Sequence, residues 1–491
     1  MHSPQQLDDY RQRLRGCWMG KNFGGAVGMP FEGWPGPRLD AAEPEIPELT
    51  PNDDLEMQLL AIAAMDATGR WPEPAQMSRL WLDCLGFAPD EYGIALRNLR
   101  DGILPPQSGG MDNWFVHGMG AVIRTEIWAC LQPGDPAAAA TLAANDSSID
   151  HAGEGVHAAA FLAALQSAAF TGDDLETCLS AAAQCVPTDS GVLRVLDETA
   201  ALAGPGFSDA EAVERVHARF GHPNFTDCLM NLAFILLALR RGAGEVRRSL
   251  HLALRCGEDA DCTCASVAAT LGILKGAALA DEWRGLPENL VTSADFARLN
   301  PPDSVPQLVE RIEALRERLA GCPVERWQPA GPVRTPVHRW LVLAAPTAED
   351  LPAELAKAFD APGQKSPLEV EFEGVYLSLE EHCSPRPVAL HLAAWFSAPQ
   401  DTDGWLLVAA DAGITVWVDG RMVANSHSRK PMIPAFHRTE GGCCLPLSLK
   451  AGVSHRLHVR LLQPNAPYGF CATFGDGRGW QLPGLEFRAQ P

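Results

Sequence analysis

Two acidic clusters, far apart in the sequence, carry residue types that bind hard metal ions. The clusters are Asn52, Asp53 and Asp54, and then Asp259, Asp261 and Cys262. Each is followed at once by a segment with the apolar spacing of a helix. Carboxylates that are adjacent, or at positions i and i+2 of a loop, can turn several oxygens toward one point, as Mg²⁺ requires. Together the clusters predict the two halves of one metal site.

Each cluster also has a simpler interpretation as a solvated turn that caps the following helix. Asn and Asp are preferred at such helix starts because their oxygens accept hydrogen bonds from the first free backbone amides. For either cluster alone, this structural role is the better interpretation. The metal site therefore depends on whether the fold brings the two helix starts together.

The elements that would position these clusters are helices. Long Ala- and Leu-rich segments, such as HAAAFLAALQSAAF and CLMNLAFILLALRR, have apolar residues at three- and four-residue spacing. This is the pattern of helices buried on wide faces. A proline-rich stretch without any period, residues 322 to 337, predicts a linker. We therefore expect an all-α N-terminal domain over residues 1–325.

After this linker the apolar period changes to two, which predicts strands. The alternating residues are Leu368, Val370 and Phe372, then Ile414, Val416 and Val418, and then Leu457, Val459 and Leu461. Asp419-Gly420 between two apolar runs predicts a hairpin turn. Residues 338–491 are therefore expected to form an all-β C-terminal β-sandwich. The stretch DAGITVWVDGRMV resembles the jelly-roll accessory modules often attached to carbohydrate-active enzymes.

Composition limits the classes of partner. A formal charge of −22 argues against a nucleic-acid or anionic-membrane partner, because phosphate binding needs clustered Lys and Arg. The N-terminus lacks the apolar core of a signal peptide, and the longest apolar run, residues 229 to 239, is too short to span a membrane. The 14 cysteines show no zinc-like spacing. We expect reduced thiols, a cytoplasmic location and a small-molecule substrate.

Five segments in register resemble the ADP-ribosylglycohydrolase family, which includes the dinitrogenase-reductase-activating glycohydrolases. They are GCWMGKNFGGAVGMPFEG (residues 16 to 33), PNDDLEMQLL (51 to 60), HGMGAVIR (117 to 124), NDSSIDHAGEG (145 to 155) and GEDADCTCASVAATLGILKG (257 to 276). The resemblance covers roughly the first 325 residues and none of the rest. It implies a helical bundle and a hydrolase acting on ADP-ribosyl compounds.

The resemblance also implies roles for individual residues. Two Mg²⁺ ions, or Mn²⁺, would be held by Asn52, Asp53, Asp54, Asp259 and Asp261. Glu32, which closes the GMPFEG segment, would be the catalytic acid/base or a gate. Gly118 and Gly120 would line the loop that cradles the diphosphate of the substrate. Asp150 and His151 would lie at a loop-to-helix junction and contact the substrate, although a lone His is as often structural.

Two further residues have open roles. Trp114 is predicted as an aromatic wall for a base or sugar, although Trp is equally a core filler. Arg124 either binds substrate or pairs with an acidic neighbour such as Glu126, and we favour the structural role. No glycine-rich, Lys-containing phosphate loop accompanies the acidic clusters, so phosphoryl transfer fits less well than glycosidic cleavage.

The sequence departs from the family pattern at three positions. Asn52 and Cys262 each stand where the family has Thr, and Met119 stands where the family loop has Asn. An amide oxygen still binds Mg²⁺, but a thiol is a poor ligand for it. Cys262 therefore passes its position to water, packs behind the site, or changes the preferred metal. The change at Met119, with the inserted DNWF just upstream of this loop, indicates a different leaving part of the substrate.

Two classes of function follow. The first is a metal-dependent hydrolase that cleaves an N- or O-glycosidic bond of an ADP-ribosyl or related ribosyl or glycosyl compound, with a carbohydrate substrate as the main rival to ADP-ribose. The second is a non-catalytic, metal-assisted sugar- or nucleotide-binding protein. Retention of Glu32 together with the aspartates favours the enzyme, because a binding protein has less need of that carboxylate.

Overall fold

A computed structural model shows two compact units, each with its own core. It describes residues 4–41, 43–44, 48–86, 90–111, 113, 115–222, 224–279, 281–282, 284–328, 337–345, 367–373, 376–379, 388–410, 412–426, 442–462, 469–475 and 485–491. The helical unit comprises Met1–Gly86, Leu104–Gly110 and Phe115–Ala330. The β unit comprises Phe87–Ile103, Met111–Trp114 and Gly331–Pro491.

Helices account for nearly all regular structure of the helical unit. They are α1 (Pro4–Gly28), α2 (Asp53–Thr68), α3 (Pro74–Cys84), α5 (Gln107–Gly110), α6 (Glu126–Leu131), α7 (Pro136–Ser147), α8 (Glu154–Ala169), α9 (Leu175–Ala183), α10 (Gly191–Ala203), α11 (Asp209–Phe220), α12 (Cys228–Arg241), α13 (Val246–Cys256), α14 (Ala260–Lys275) and α15 (Val305–Leu319). Short 3₁₀ turns include Met29–Phe31, directly after α1. The predicted fold class of this half is confirmed.

The centre of the helical unit is built from helices that are buried on nearly every face. In α12 and α14 almost all side chains are buried, as their wide apolar faces predict. Within the described residues, the segment Ala260–Leu279 is also long and apolar enough to cross a membrane, but 78% of its apolar window is buried inside the protein. This segment is therefore part of the buried core of the helical unit.

The β unit contains two antiparallel sheets. Its strands are β1 (Val337–Ala345), β2 (Leu368–Glu373), β3 (Tyr376–Ser378), β4 (Ala389–Phe396), β5 (Thr402–Ala410), β6 (Gly413–Val418), β7 (Arg421–Ser426), β8 (Gly442–Leu449), β9 (His455–Leu462) and β10 (Gly469–Gly475). One sheet has the order β2-β1-β4-β9-β6-β7 and the other β3-β10-β5-β8. A shared core that includes Trp340, Val408 and Phe470 joins them. The predicted all-β class is confirmed.

The alternating pattern has the expected result in the central strands. Ile414 and Val416 of β6, and Leu457 and Val459 of β9, are buried. Asp419 and Gly420 form the predicted hairpin turn between β6 and β7, both with positive φ. Leu368 differs, because it is 49% exposed. It is the first residue of β2, which pairs only with β1 among the described strands of its sheet.

One helix from the N-terminal half belongs to the β unit. This is α4 (Asp90–Arg100), whose residues up to Leu99 are all buried. The side-chain amide of Asn98 donates to the carbonyl of Met111 at 2.8 Å, which ties the two N-terminal segments of the β unit together. The β unit therefore takes in part of the chain that precedes the linker.

Candidate metal centre

The centre depends on a close contact between α1 and α14. Four glycines at four-residue spacing lie on one face of α1: Gly16, Gly20, Gly24 and Gly28. A Cβ atom added to Gly20 or Gly28 would lie only 2.2 Å from a backbone oxygen of α14. Any side chain at these positions would force the helices apart. The glycines therefore let the end of α1 lie beside the start of α14.

The loops that follow α1 and precede α14 are hydrogen-bonded to each other. The amide of Gly33 donates to the carbonyl of Glu258 at 2.8 Å, and the amide of Glu258 donates to the carbonyl of Trp34 at 2.8 Å. The Oε1 atom of Glu258 also accepts from the amide of Gly36 at 2.6 Å. This pairing fixes Glu32, in the first loop, close to Asp259, in the second.

Potential ligand atoms converge in two overlapping groups. The inner group consists of Asp54, Asp261 and Cys262, which are all buried, and the outer group consists of Glu32, Asp259 and Asp261. Within each group the ligand atoms all lie within 4.8 Å of one another. Asp261 belongs to both groups. The structure thus brings the two acidic clusters of the sequence together and adds Glu32 to them.

The buried carboxylates of this centre are not fully satisfied by the protein. Asp54 and Asp259 are each 1% exposed and Asp261 is 3% exposed. Among the described residues, Oδ2 of Asp54, Oδ2 of Asp259 and Oδ1 of Asp261 have no hydrogen-bond partner. Buried carboxylate oxygens without partners are costly unless a cation neutralises them. The donor set, mostly oxygen, therefore fits one or two divalent ions.

Burial and neighbouring acidic groups raise the pKa values of Asp259 and Asp261. Burial, with the nearby charges of Glu32 and Asp54, raises the pKa of Asp259 to about 8, although hydrogen bonds from Cys262 and Asp261 act in the opposite direction. Burial, followed by Asp259 and Asp54, raises the pKa of Asp261 well above its ordinary value. Without a cation, the folded protein therefore holds protons on carboxyl groups that would be ionised in the unfolded chain.

We expect the metal-free protein to lose stability as the pH rises from about 4 to about 8. The pKa of Asp259 is about 8 in the folded protein against an ordinary 3.8, so the folded state binds more protons across this interval. The resulting stabilisation is fully present below the lower value and is lost as the pH rises through the upper one. Thermal unfolding in chelator at about pH 5 and pH 8 measures this slope. A metal-free Tm that increases between these pH values would contradict it.

A divalent ion should change this pH dependence, because it binds the deprotonated carboxylates. The rise in Tm on adding Mg²⁺ or Mn²⁺ is therefore expected to be larger at about pH 8 than at about pH 5. The same unfolding experiment with and without the ion provides the comparison. An equal rise at both pH values would show that the ion binds elsewhere.

A buried lysine, Lys21, forms an ion pair with Asp54 of the inner group. Lys21 is 1% exposed, and its Nζ lies 2.9 Å from Oδ1 of Asp54 and 3.2 Å from Oε1 of Glu126. Burial opposes the charge on Lys21, but Asp54 and Glu126 outweigh burial and raise its pKa. Gln58 and Gln166 donate further hydrogen bonds to Glu126. Lys21 therefore fixes one oxygen of Asp54 and leaves the other, Oδ2, toward the centre.

Residues of the first acidic cluster have different positions: Asn52 caps helix α2, and Asp54 belongs to the inner ligand group. Oδ1 of Asn52 accepts a hydrogen bond from the amide of Asp54 at 2.7 Å, so Asn52 is the N-cap of α2. Asp53, the first residue of α2, is partly buried and belongs to neither ligand group of the described residues. The capping role expected of a lone cluster and the ligand position of Asp54 therefore coexist. Metal binding by Asn52 and Asp53 stays a prediction.

Asp150 and His151 lie in the packed interior. Both are 0% exposed, and Nδ1 of His151 lies 2.9 Å from Oδ1 of Asp150. Arg124 pairs with Asp150 and with Asp146, not with Glu126. Burial would raise the pKa of Asp150, but Arg124 and His151 outweigh burial and lower it. This network fits the structural role favoured for Arg124, while substrate contact by Asp150 and His151 stays a prediction.

The loop that contains Gly118 and Gly120 packs against Arg124. Gly118 and Gly120 are buried, the amide of Gly118 donates to the carbonyl of Phe115 at 2.8 Å, and the carbonyl of Gly120 accepts from Arg124. Met119 between them is 1% exposed. The loop is thus packed into the helical unit, and its contact with a diphosphate stays a prediction. Trp114 lies outside the described residues.

Sequence reasoning missed Lys21 and Trp34. Trp34 is 42% exposed, two residues after Glu32. The guanidinium of Arg38 lies 4.3 Å from the centre of its ring, and the ring of Phe31 lies 5.7 Å from it, edge to face. The signals were a Trp in the Gly- and Pro-rich segment EGWPGP and a lone Lys in a glycine-rich helix. An exposed aromatic ring two positions after Glu32 in the chain is suited to contact a sugar or base.

Comparison with known proteins places most of the chain in one family. The family model described as ADP-ribosylglycohydrolase matches residues 6–323. None of the curated proteins matches the chain significantly.

Solved structures show more distant likeness. A chain described as an ADP-ribosylglycohydrolase-related protein complex has 20% identity and a TM-score of 0.41, covering 64% of this chain and 98% of that one. A β-glucosidase from Kluyveromyces marxianus in complex with glucose has 12% identity and a TM-score of 0.21, covering 29% of this chain and 16% of that one. The PA14 domain of the MpAFP antifreeze protein has 10% identity and a TM-score of 0.20, covering 33% and 93%. None of these likenesses is close enough to assign an activity.

Proposed function

Because the chain belongs to the ADP-ribosylglycohydrolase family, we propose that it is a metal-dependent hydrolase acting on the glycosidic bond of an ADP-ribosyl or related ribosyl compound. The observation that carries this proposal is the convergence of Asp54, Asp259 and Asp261 near the exposed Glu32. The three aspartates have buried oxygens without a hydrogen-bond partner in the described part of the chain. The bond is N- or O-glycosidic, and the substrate is a small molecule or an ADP-ribosylated group.

The aspartates would hold the ions and Glu32 would meet the substrate. Asp54, Asp259 and Asp261 are rigidly placed, since each lies at the start of a packed helix. When bound, Mg²⁺ or Mn²⁺ would orient the sugar hydroxyls and offset the charge that develops as the glycosidic bond breaks. Glu32 lies at the exposed side of the centre, where its carboxyl group can move a proton at the scissile bond or at the attacking water.

Glu32 also distinguishes an enzyme from a binding protein. It is the exposed member of a ligand set whose other members are buried. A purely metal-binding centre gains little from a carboxylate at its open side, whereas proton transfer needs one within reach of the substrate. The position of Glu32 therefore favours catalysis.

Turnover measured on defined substrates tests the proposal. The full-length protein, loaded with Mg²⁺ or Mn²⁺, would be assayed on ADP-ribosylated arginine and serine conjugates, on O-acetyl-ADP-ribose and on a panel of simple glycosides, each with and without chelator. We expect hydrolysis of at least one ADP-ribosyl compound that stops in chelator. Cleavage of glycosides alone would replace ADP-ribose with a carbohydrate substrate. Substrate binding without any turnover would support the binding protein instead.

We expect Trp34→Ala to raise KM by roughly tenfold and to leave kcat nearly unchanged. The exposed ring would supply stacking to the substrate in both the ground state and the transition state, and such contacts contribute on the order of 1 kcal/mol. Trp34→Phe keeps a ring and should recover most of the affinity. Steady-state kinetics on a confirmed substrate provides the measurement. A loss in kcat with unchanged KM would show that the ring positions Glu32 instead.

We also propose a cytoplasmic location. Every cysteine in the described part of the chain is free, which fits a reducing compartment. The formal charge of −22 supports a substrate that is recognised by local groups, not by a nucleic acid or membrane surface.

A further inference from the structure

The inner group contains a thiol where an all-oxygen site would be expected for Mg²⁺. Sγ of Cys262 and the carboxylate oxygens of Asp54 and Asp261 all lie within 4.8 Å of one another. Around one tetrahedral ion with bonds of about 2.0 Å to oxygen and about 2.3 Å to sulfur, neighbouring ligand atoms lie about 3.5 Å apart. A small contraction therefore brings all three atoms onto a single ion.

Two unpartnered oxygens point to a ligand at this position. Oδ2 of Asp54 and Oδ1 of Asp261 are buried and have no hydrogen-bond partner within the described residues. Lys21 holds the other oxygen of Asp54 at 2.9 Å. Oδ2 is therefore the oxygen of Asp54 that no protein group among the described residues occupies. A small number of ligands that includes sulfur is typical of Zn²⁺ and similar ions and not of Mg²⁺.

Cys262 is positioned by the backbone of α14 and not by a flexible loop. It is the third residue of that helix and is 7% exposed. The helix backbone therefore holds Sγ of Cys262 within 4.8 Å of the carboxylate oxygens of Asp54 and Asp261.

We propose that the inner group is a mixed oxygen and sulfur site for a borderline divalent ion such as Zn²⁺ or Co²⁺, with Sγ of Cys262 as a direct ligand. The outer group, which has oxygen ligands only, takes a hard ion such as Mg²⁺. This inference rests on the proposed function only because the proposed activity and the proposed sulfur ligand involve the same metal centre. As the metal–sulfur bond forms, the thiol proton passes to solvent, and no group is oxidised or reduced.

Cobalt absorption tests the proposal directly in the unmodified protein. The full-length chain would be stripped with chelator, dialysed and titrated with Co²⁺ under reducing conditions. We expect a near-ultraviolet band of thiolate-to-cobalt charge transfer that saturates at one Co²⁺ per chain. Saturable Co²⁺ binding without this band would overturn the proposal, because it would show that only oxygen atoms hold the ion.

Two variants assign the band to one sulfur. Cys262→Thr replaces the thiol by an oxygen of similar size and should remove the band while leaving Mg²⁺ binding intact. Cys264→Ala is the matched control, because Cys264 is buried two residues away on the same helix but belongs to neither ligand group of the described residues. It should keep the band. Persistence of the band in Cys262→Thr, or its loss in Cys264→Ala, would overturn the assignment to Cys262.

Metal competition gives a second readout that does not depend on activity. We expect the preference of the inner site for Zn²⁺ over Mg²⁺ to fall by at least about tenfold in Cys262→Thr, since a soft ligand is replaced by a hard one. An unchanged preference would contradict the proposal. The two hypotheses fail separately: a thiolate band without any hydrolysis would refute the proposed function alone, and hydrolysis without the band would refute the sulfur ligand alone.

Discussion

Replacing Glu32 by Gln is expected to lower kcat by roughly 10²- to 10⁴-fold and to change metal binding little. The amide keeps the size of the side chain and one oxygen that can face an ion, but it cannot transfer a proton. The three buried aspartates, which carry most of the ligand set, are unaffected. Steady-state kinetics on a confirmed substrate, with calorimetric titration of Mg²⁺ or Mn²⁺, measures the two effects separately.

A matched control removes the effect of charge alone. Glu43 is exposed and lies 3.4 Å from Nδ1 of His251, and it belongs to neither ligand group of the described chain. Glu43→Gln makes the same change in net charge and should leave kcat unchanged. Full activity in Glu32→Gln would deprive Glu32 of its catalytic role, and proton transfer would then fall to one of the aspartates.

The acidic clusters were readable from sequence because their information is local. Carboxylates clustered at a helix start indicate a possible ligand set by residue type alone, although only Asp54 of the first cluster belongs to a ligand group among the described residues. The glycine spacing of α1 carried the remaining information, since glycine at every fourth position permits backbone contact with a second helix. The sequence did not show that α14 is that second helix, and the resemblance to a family implied only that the two acidic clusters share one metal site.

Long-range pairing explains what sequence reasoning missed. Lys21 contacts Asp54 and Glu126, which are 33 and 105 positions away in the chain, and no local pattern announces such partners. The same limit applies to α4, which follows α3 in sequence but belongs to the β unit. A proline-rich linker indicates a boundary between two domains. It does not show that an earlier segment, Phe87–Ile103, belongs to the second domain.

The buried network around Arg124 shows a different limit. Asp150 and His151 before a helix are predicted to contact substrate, and the sequence alone does not separate this role from a structural one. The structure adds what the sequence lacks: both side chains are 0% exposed, and Arg124 pairs with the carboxylate of Asp150. An ion pair of this kind is costly to break, since removal of one partner leaves a buried charge. The sequence alone does not show how deeply Asp150 and His151 are buried.

Asp261 is the residue whose loss should have the broadest consequence, because it is shared by the inner and outer groups. We expect Asp261→Asn to weaken metal binding at both groups, whereas Asp259→Asn should affect only the outer group. Activity should fall on the order of 10³-fold or more in Asp261→Asn, since the charge stabilisation supplied by bound ions amounts to several kcal/mol. Metal content after dialysis, together with turnover, provides the measurement.

The same substitution should have opposite effects on stability with and without metal. In chelator, Asp261→Asn removes a buried carboxyl group whose pKa is raised by burial and by its acidic neighbours, so the variant should unfold at a higher temperature than the parent. With metal at about 100 times its Kd, the parent gains about 2.7 kcal/mol for each bound ion, and the variant gains far less. The order of the two Tm values should therefore reverse when metal is added. If Asp261 serves only as a metal ligand, its replacement should raise the Tm of the metal-free protein. A variant with a lower Tm than the parent in chelator would instead show that Asp261 stabilises the fold itself.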